Sequence, residues 1–193
     1  MPINKIRATK RGKAAIAAVV TAAVGGMVAL FPGYKVHDDV ALASTALVRP
    51  WEGRKLVAYL DKLAKPPVWT ICDGDTTNVK PGMKETPEGC NKRLAVKMER
   101  DYRPALVRCI AGWDDKPLSW RGMMLSLSWN IGTGAACNST AARLGSEGKY
   151  VDSCKAATAF NKAGGQVYIG LVNRREMGDA TRLGEGEVCV SGL

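Results

Sequence analysis

The chain predicts an α+β domain in which a small β lobe and a larger helical lobe enclose a cleft. Residues 56–76 are rich in β-branched and aromatic side chains, with turn material at Lys65-Pro66-Pro67 and Asp73-Gly74-Asp75. That pattern predicts a hairpin or a three-stranded sheet. From Thr86 onward, apolar residues recur at helical spacing between caps and glycines. A length of 193 residues suits one domain with an accessory segment, and there is no repeat or long low-complexity tract.

The first element is an apolar run, Ala14 to Phe31, free of charge and proline. As a helix it would span roughly 27 Å, against a bilayer core of about 30 Å. Five basic residues precede it, so the N-terminus is expected to stay in the cytoplasm while the rest crosses. The span is weak, because seven of its residues are Ala and two are Gly (Gly25, Gly26). An uncleaved signal anchor is the favoured reading. A signal peptide cleaved after Ala41-Leu42-Ala43 would leave little of the next helix. A permanent anchor is disfavoured by the Ala and Gly content, and a buried soluble helix is the remaining reading.

Pro32-Gly33 should end the run, and Asp38 or Asp39 should cap a second helix carrying Val40, Leu42, Leu47 and Val48. Thr86-Pro87-Glu88 opens a helix expected to reach Ile110 with a break at Pro104. Trp120, Met124, Leu127 and Ile131 mark the core face of another, which stops at Gly132 and Gly134. Shorter helices are expected after Ser139-Thr140, over Tyr150–Phe160, and from about Ile169 to Leu183.

The net charge of +10 is unevenly placed. Residues 1–35 hold six basic residues and no acidic one, whereas the remainder has 22 basic against 18 acidic. The excess is therefore mostly topological, and nucleic acid is not an expected partner. Six cysteines (Cys72, Cys90, Cys109, Cys137, Cys154, Cys189) all follow the apolar run. An even set in an exported segment fits disulfides, whose pairing the spacing leaves open. With His37 the only histidine and no Cys-x-x-Cys pair, a zinc site or a Cys–His nucleophile is not expected. No metal or cofactor is expected.

Glu52 and Asp61 are candidate catalytic carboxylates, with Thr70 a third group. Acetal hydrolysis needs a proton donor for the leaving oxygen and help for the incoming water. Glu52, beside Trp51, suits the donor, while Asp61 would stay ionised and orient the water with the Thr70 hydroxyl. Asp73 and Asp75 are rival second carboxylates. An E-x8-D pair alone carries little weight.

Four motifs in order add specificity. The string Glu52-Gly53-Arg54-Lys55-Leu56-Val57-Ala58-Tyr59-Leu60-Asp61 resembles the E-G-x-x-L-x-A-Y-x-D signature of phage-type lysozymes, glycoside hydrolase family 24. The segments from Trp69 to Thr76, from Ser128 to Gly134 with Ser139-Thr140, and from Gly170 to Glu176 resemble further segments of that family. The resemblance covers about residues 40–183. It implies a lysozyme-like fold and hydrolysis of the β-1,4 bond between N-acetylmuramic acid and N-acetylglucosamine in bacterial peptidoglycan, by inversion. Glu52, Asp61 and Thr70 would be the catalytic residues, with Asn130 and Asp75 near substrate. Residues 1–35 would form the signal anchor and residues 36–193 the catalytic domain.

Two departures stand out. Eight residues, 62–69, separate Asp61 from Thr70, more than the family usually has. Asp75 stands where the family often has His, so its partner must differ. Arg174 and Arg175 are expected in structural ion pairs, and Cys72 in a disulfide. Joined to the weak apolar run, the domain resembles a signal-anchor-release endolysin: a monomer tethered in the host inner membrane through residues 14–31, then freed into the periplasm for lysis. A non-enzymatic periplasmic glycan-binding protein and a lytic transglycosylase are the alternatives.

Overall fold

The computed structural model describes residues 5–62 and 65–193. The apolar run does not form one helix. Helix α1 (Lys10–Ala22) is capped by Thr9, whose side chain accepts from the Gly12 N–H. Strands β1 (Ala23–Val24), β2 (Met27–Phe31) and β3 (Tyr34–His37) follow as an antiparallel sheet in chain order. Gly25 and Gly26 make the first turn with φ of 58° and 76°, a region open to glycine at little cost. No helix among the described residues is long and apolar enough to cross a membrane. Val19 and Val28 are buried and Ile16, Leu30 and Phe31 pack against the core, so the run contributes to the body of the protein.

Helix α2 (Asp38–Leu42) continues into a wider π turn, Ala43–Val48, in which the Arg49 N–H reaches the Ser44 carbonyl. Ser44 and Thr45 hydroxyls both donate to the Ala41 carbonyl, a competition with the backbone ladder that bends helices. Asp39, expected as a cap, is instead a buried acceptor for Arg103, Arg121 and the Trp113 indole N–H. The cap position belongs to His37.

Strands β4 (Lys55–Asp61) and β5 (Val68–Cys72) form the predicted hairpin. Isolated bridges from Val57 to Lys84 and from Ile71 to Asp75 replace a full third strand. Helix α3 (Pro87–Lys97) runs through a π turn into α4 (Arg103–Cys109), and Pro104 sits in the first turn of α4. A 3-10 turn at Trp113–Asp115 precedes α5 (Leu118–Ile131). The central helix is α5: Trp120, Met124 and Leu127 are fully buried and Ile131 packs at its margin, as the periodicity predicts. Close packing fixes its neighbours. A Cβ on Gly122 would lie 2.9 Å from Leu42, and one on Gly145 would lie 2.0 Å from Trp120.

Helices α6 (Thr133–Cys137), α7 (Thr140–Ser146) and α8 (Tyr150–Ala157) complete this lobe. A small hairpin, β6 (Lys162–Ala163) with β7 (Gln166–Val167), leads into α9 (Ile169–Arg175). Helix α9 ends well before Leu183. Gly178 takes φ 72°, and a Cβ there would lie 2.0 Å from the Arg182 carbonyl oxygen. That turn directs the chain into α10 (Glu185–Ser191), which the sequence reading does not foresee. Three disulfides pin these parts together: Cys72–Cys90 joins β5 to α3, Cys109–Cys137 joins α4 to α6, and Cys154–Cys189 joins α8 to α10.

Candidate active site

Glu52 and the hairpin residues Asp61 and Thr70 come from different elements. Pro50 lacks an N–H and ends the helical segment. The Trp51 and Glu52 N–H groups then fold back onto the Val48 carbonyl, which fixes the turn that presents Glu52. Its side chain is 23% exposed, and Arg174 Nη1 donates to Glu52 Oε1 at 2.9 Å. The Trp51 ring turns elsewhere. Its Nε1 donates to the Leu183 carbonyl at 2.8 Å, and the Arg182 guanidinium stacks 3.8 Å from its centroid. Arg174, rather than the indole, is therefore the group held against the carboxylate.

The hairpin register sets the other two residues. Asp61 pairs with Val68 and Tyr59 with Thr70. Side chains two apart on a strand share a face, as do directly paired residues, so Tyr59, Asp61 and Thr70 lie on one face. Asp61 and Thr70 are diagonal neighbours, about 7–8 Å apart between backbones. The extra residues between them are absorbed by the loop around Lys65-Pro66-Pro67, part of which, residues 63–64, lies outside the described residues. Thr70 is buried, and its hydroxyl donates to the Val68 carbonyl at 3.2 Å. Its lone pairs stay available to accept from water.

Tyr59 links the two carboxylates electrostatically. Burial pushes its phenol above the ordinary value, and the charges of Asp61 and Glu52 push it the same way. One side chain thus feels the acid in the turn after Pro50 and the acid on the hairpin. Tyr59 belongs to the same motif string, yet nothing in the spacing marks it as a residue in the field of both.

The rival acids are engaged elsewhere. Arg54 grips Asp73 with a two-point fork at 2.9 and 2.5 Å. Asp75 is buried and accepts from Arg93 at 2.6 Å, Lys97 at 3.1 Å and the Thr77 N–H at 2.9 Å. Burial opposes the Asp75 charge, but these hydrogen bonds outweigh it and hold its carboxyl below the usual range. These contacts tie Asp75 to α3 and to Thr77, and its backbone is bridged to Ile71, next to Thr70.

Asn130 reaches the acid by a relay. Its Oδ1 accepts a very short hydrogen bond from Arg175 Nη2. Arg175 Nη1 donates to Glu185 Oε2 at 2.5 Å, and Arg174 Nε donates to Glu185 Oε1 at 3.2 Å. Ser126 also donates to Glu185, at 2.6 Å. The fully buried Glu185 is therefore the hub between two arginines, one holding Glu52 and the other Asn130. Sequence reasoning identifies the arginines as ion-pair residues but misses Glu185. The only signal available is an acid in a short Gly-Glu-Gly-Glu stretch beyond the recognised motifs.

The phage lysozyme family model matches residues 49–178. An Enterobacteria phage P21 protein named SAR-endolysin is 30% identical over 183 residues, covering 90% of this chain and 94% of its own. Among solved structures, an endolysin from Escherichia coli O157:H7 phage FAHEc1 matches with a TM-score of 0.61 at 24% identity, over 83% of this chain and 96% of that one. The active form of P1 phage endolysin Lyz gives 0.60 at 21% identity, over 92% and 94%. The lysozyme-like architecture is thus shared, and the chain belongs to the phage lysozyme family as a glycoside hydrolase of the lysozyme type.

Proposed function

We propose that the chain is an endolysin that hydrolyses the β-1,4 bond between N-acetylmuramic acid and N-acetylglucosamine in peptidoglycan. Glu52 donates a proton to the leaving oxygen. Asp61 accepts a proton from a water that the Thr70 hydroxyl also holds, and attack from the opposite face inverts the anomeric carbon. Inversion asks for carboxylates about 6.5–9.5 Å apart, with room for that water. The observation that carries this reading is the shared hairpin face of Asp61, Tyr59 and Thr70, with Tyr59 feeling both acids. Arg174 completes the site by orienting Glu52.

The same proposal covers location. Residues 1–35 serve as a signal anchor that holds the chain in the host inner membrane with its N-terminus in the cytoplasm. Residues 36–193 lie in the periplasm, and the whole chain is later released there as a monomer. Supporting this are the basic flank, the marginal apolar run and the name SAR-endolysin borne by the P21 relative. The described fold, with residues 14–31 in a helix and a sheet, is read as the released form.

The test uses the purified full chain beside Glu52→Gln and Asp61→Asn on isolated Gram-negative peptidoglycan, with mass analysis and anomer detection by NMR. Reducing-end muropeptides of inverted configuration from the parent, reduced at least a hundredfold in both variants, are expected. Anhydro products would assign a transglycosylase. No products at all would leave a glycan-binding protein.

A further inference from the structure

The N-terminal arm makes a set of contacts that lead to the catalytic acid. Glu187, in the first turn of α10, has a fully buried side chain. Its Oε1 accepts from Arg11 Nε at 2.7 Å and from the Thr9 hydroxyl at 2.5 Å, and its Oε2 accepts from Arg11 Nη2 at 2.8 Å. Arg11 does more than neutralise this carboxylate. Its Nη2 also donates to the Met177 carbonyl and its Nη1 to the Asp179 carbonyl, both at 2.7 Å. These carbonyls belong to the loop that leaves α9. A single guanidinium thus clamps the end of α9 to the start of α10, a task its planar fork suits and a lysine ammonium does not.

Arg174 depends on both of these elements. It sits on α9, takes its second partner, Glu185, from α10, and donates to Glu52. The arm is also seated closely. A Cβ on Gly186 would lie 2.5 Å from Ile6, and one on Gly12 would lie 2.5 Å from Ser191 Oγ. The Thr9 N–H donates to that same Ser191 hydroxyl at 3.0 Å.

We propose that Arg11 is a positioning residue for Glu52: by clamping the α9–α10 junction through Glu187, Met177 and Asp179, it holds Arg174 in place to orient the acid. The role rests on the assignment of Glu52 as the acid under the proposed function. Arg11 thereby acts on residue 52 without touching substrate.

The test compares the released full chain with Arg11→Gln, with the milder Thr9→Val, and with Lys10→Gln, an exposed control on the same helix. Two readouts are taken: kcat and KM on isolated peptidoglycan well below each melting temperature, and amide hydrogen exchange at Gly178 and Glu187. Arg11→Gln is expected to lower kcat about tenfold with KM within twofold, and to speed exchange at both amides about tenfold. Thr9→Val should move both readouts in the same direction by a smaller factor, and Lys10→Gln should move neither. A folded Arg11→Gln protein with wild-type kcat, even with a lower melting temperature, overturns the positioning role. Unchanged exchange overturns the clamp whatever the activity. If the wild type releases no reducing-end muropeptides while exchange still responds to Arg11, the muramidase reading fails and the clamp stands.

Discussion

Asp75 shows how a buried acid is held by its neighbours. Arg93 and Lys97, both from α3, each meet one of its carboxylate oxygens. Because its folded pKa lies below the unfolded value, its stabilisation is complete above about pH 4 and is lost as pH falls through the folded value. Asp75→Asn should therefore cost about 2 kcal/mol at pH 7 and progressively less in acid. Urea unfolding at pH 7 and pH 3 measures this, and an equal deficit at both would refute it. At this scale the sequence was most readable where spacing is short. The proposed trio Glu52, Asp61 and Thr70 falls within nineteen residues, and the predicted hairpin sets Asp61 and Thr70 on one face. Arg174 meets Glu52 across 122 positions and Arg11 meets Glu187 across 176, distances at which no periodicity carries information.

Among the elements, the apolar run is where the sequence expectation and the fold differ most. Its charge-free length reads as a weak span, and that reading predicts a helix through Phe31. In the folded chain the helix stops at Ala22, because Gly25-Gly26 turns the backbone through positive φ and Met27–Phe31 finds a partner strand in Tyr34–His37. Tertiary burial of Val28 and packing of Leu30 and Phe31 outweigh a modest helix propensity. Replacing both Gly25 and Gly26 with Leu acts in one direction on both structures. It strengthens partitioning into lipid and strains a turn that leucine adopts poorly. The expected result is a chain retained in the membrane fraction after depolarisation, with lysis delayed. Wild-type fractionation and lysis timing would count against the two-structure account. Helix α9 stops earlier than its apolar spacing predicts for a related reason: the close approach of Gly178 to the Arg182 carbonyl leaves no mark in that spacing.

For the molecule as a whole, the disulfides tie together parts that the chain brings close only after folding. Cys154–Cys189 closes 35 residues and holds α10, the helix that carries Glu185 and Glu187, against α8. Converting both cysteines to Ala should lower stability by about 3 kcal/mol and reduce kcat, while the Cys72–Cys90 and Cys109–Cys137 bonds persist. Thermal unfolding and peptide mapping test this, and an unchanged melting temperature would show that α10 is held by packing alone. The α+β class and the central helix were legible from composition and periodicity, because local pattern governs them. The network around Glu52 was not, since it joins Arg174, Arg175 and Glu185 near the end of the chain to Ser126 and Asn130 in and at the end of α5. That arrangement also sets a timetable. Thiols do not pair in a reducing interior, so on the proposed route the final helix is fastened to α8 only after export.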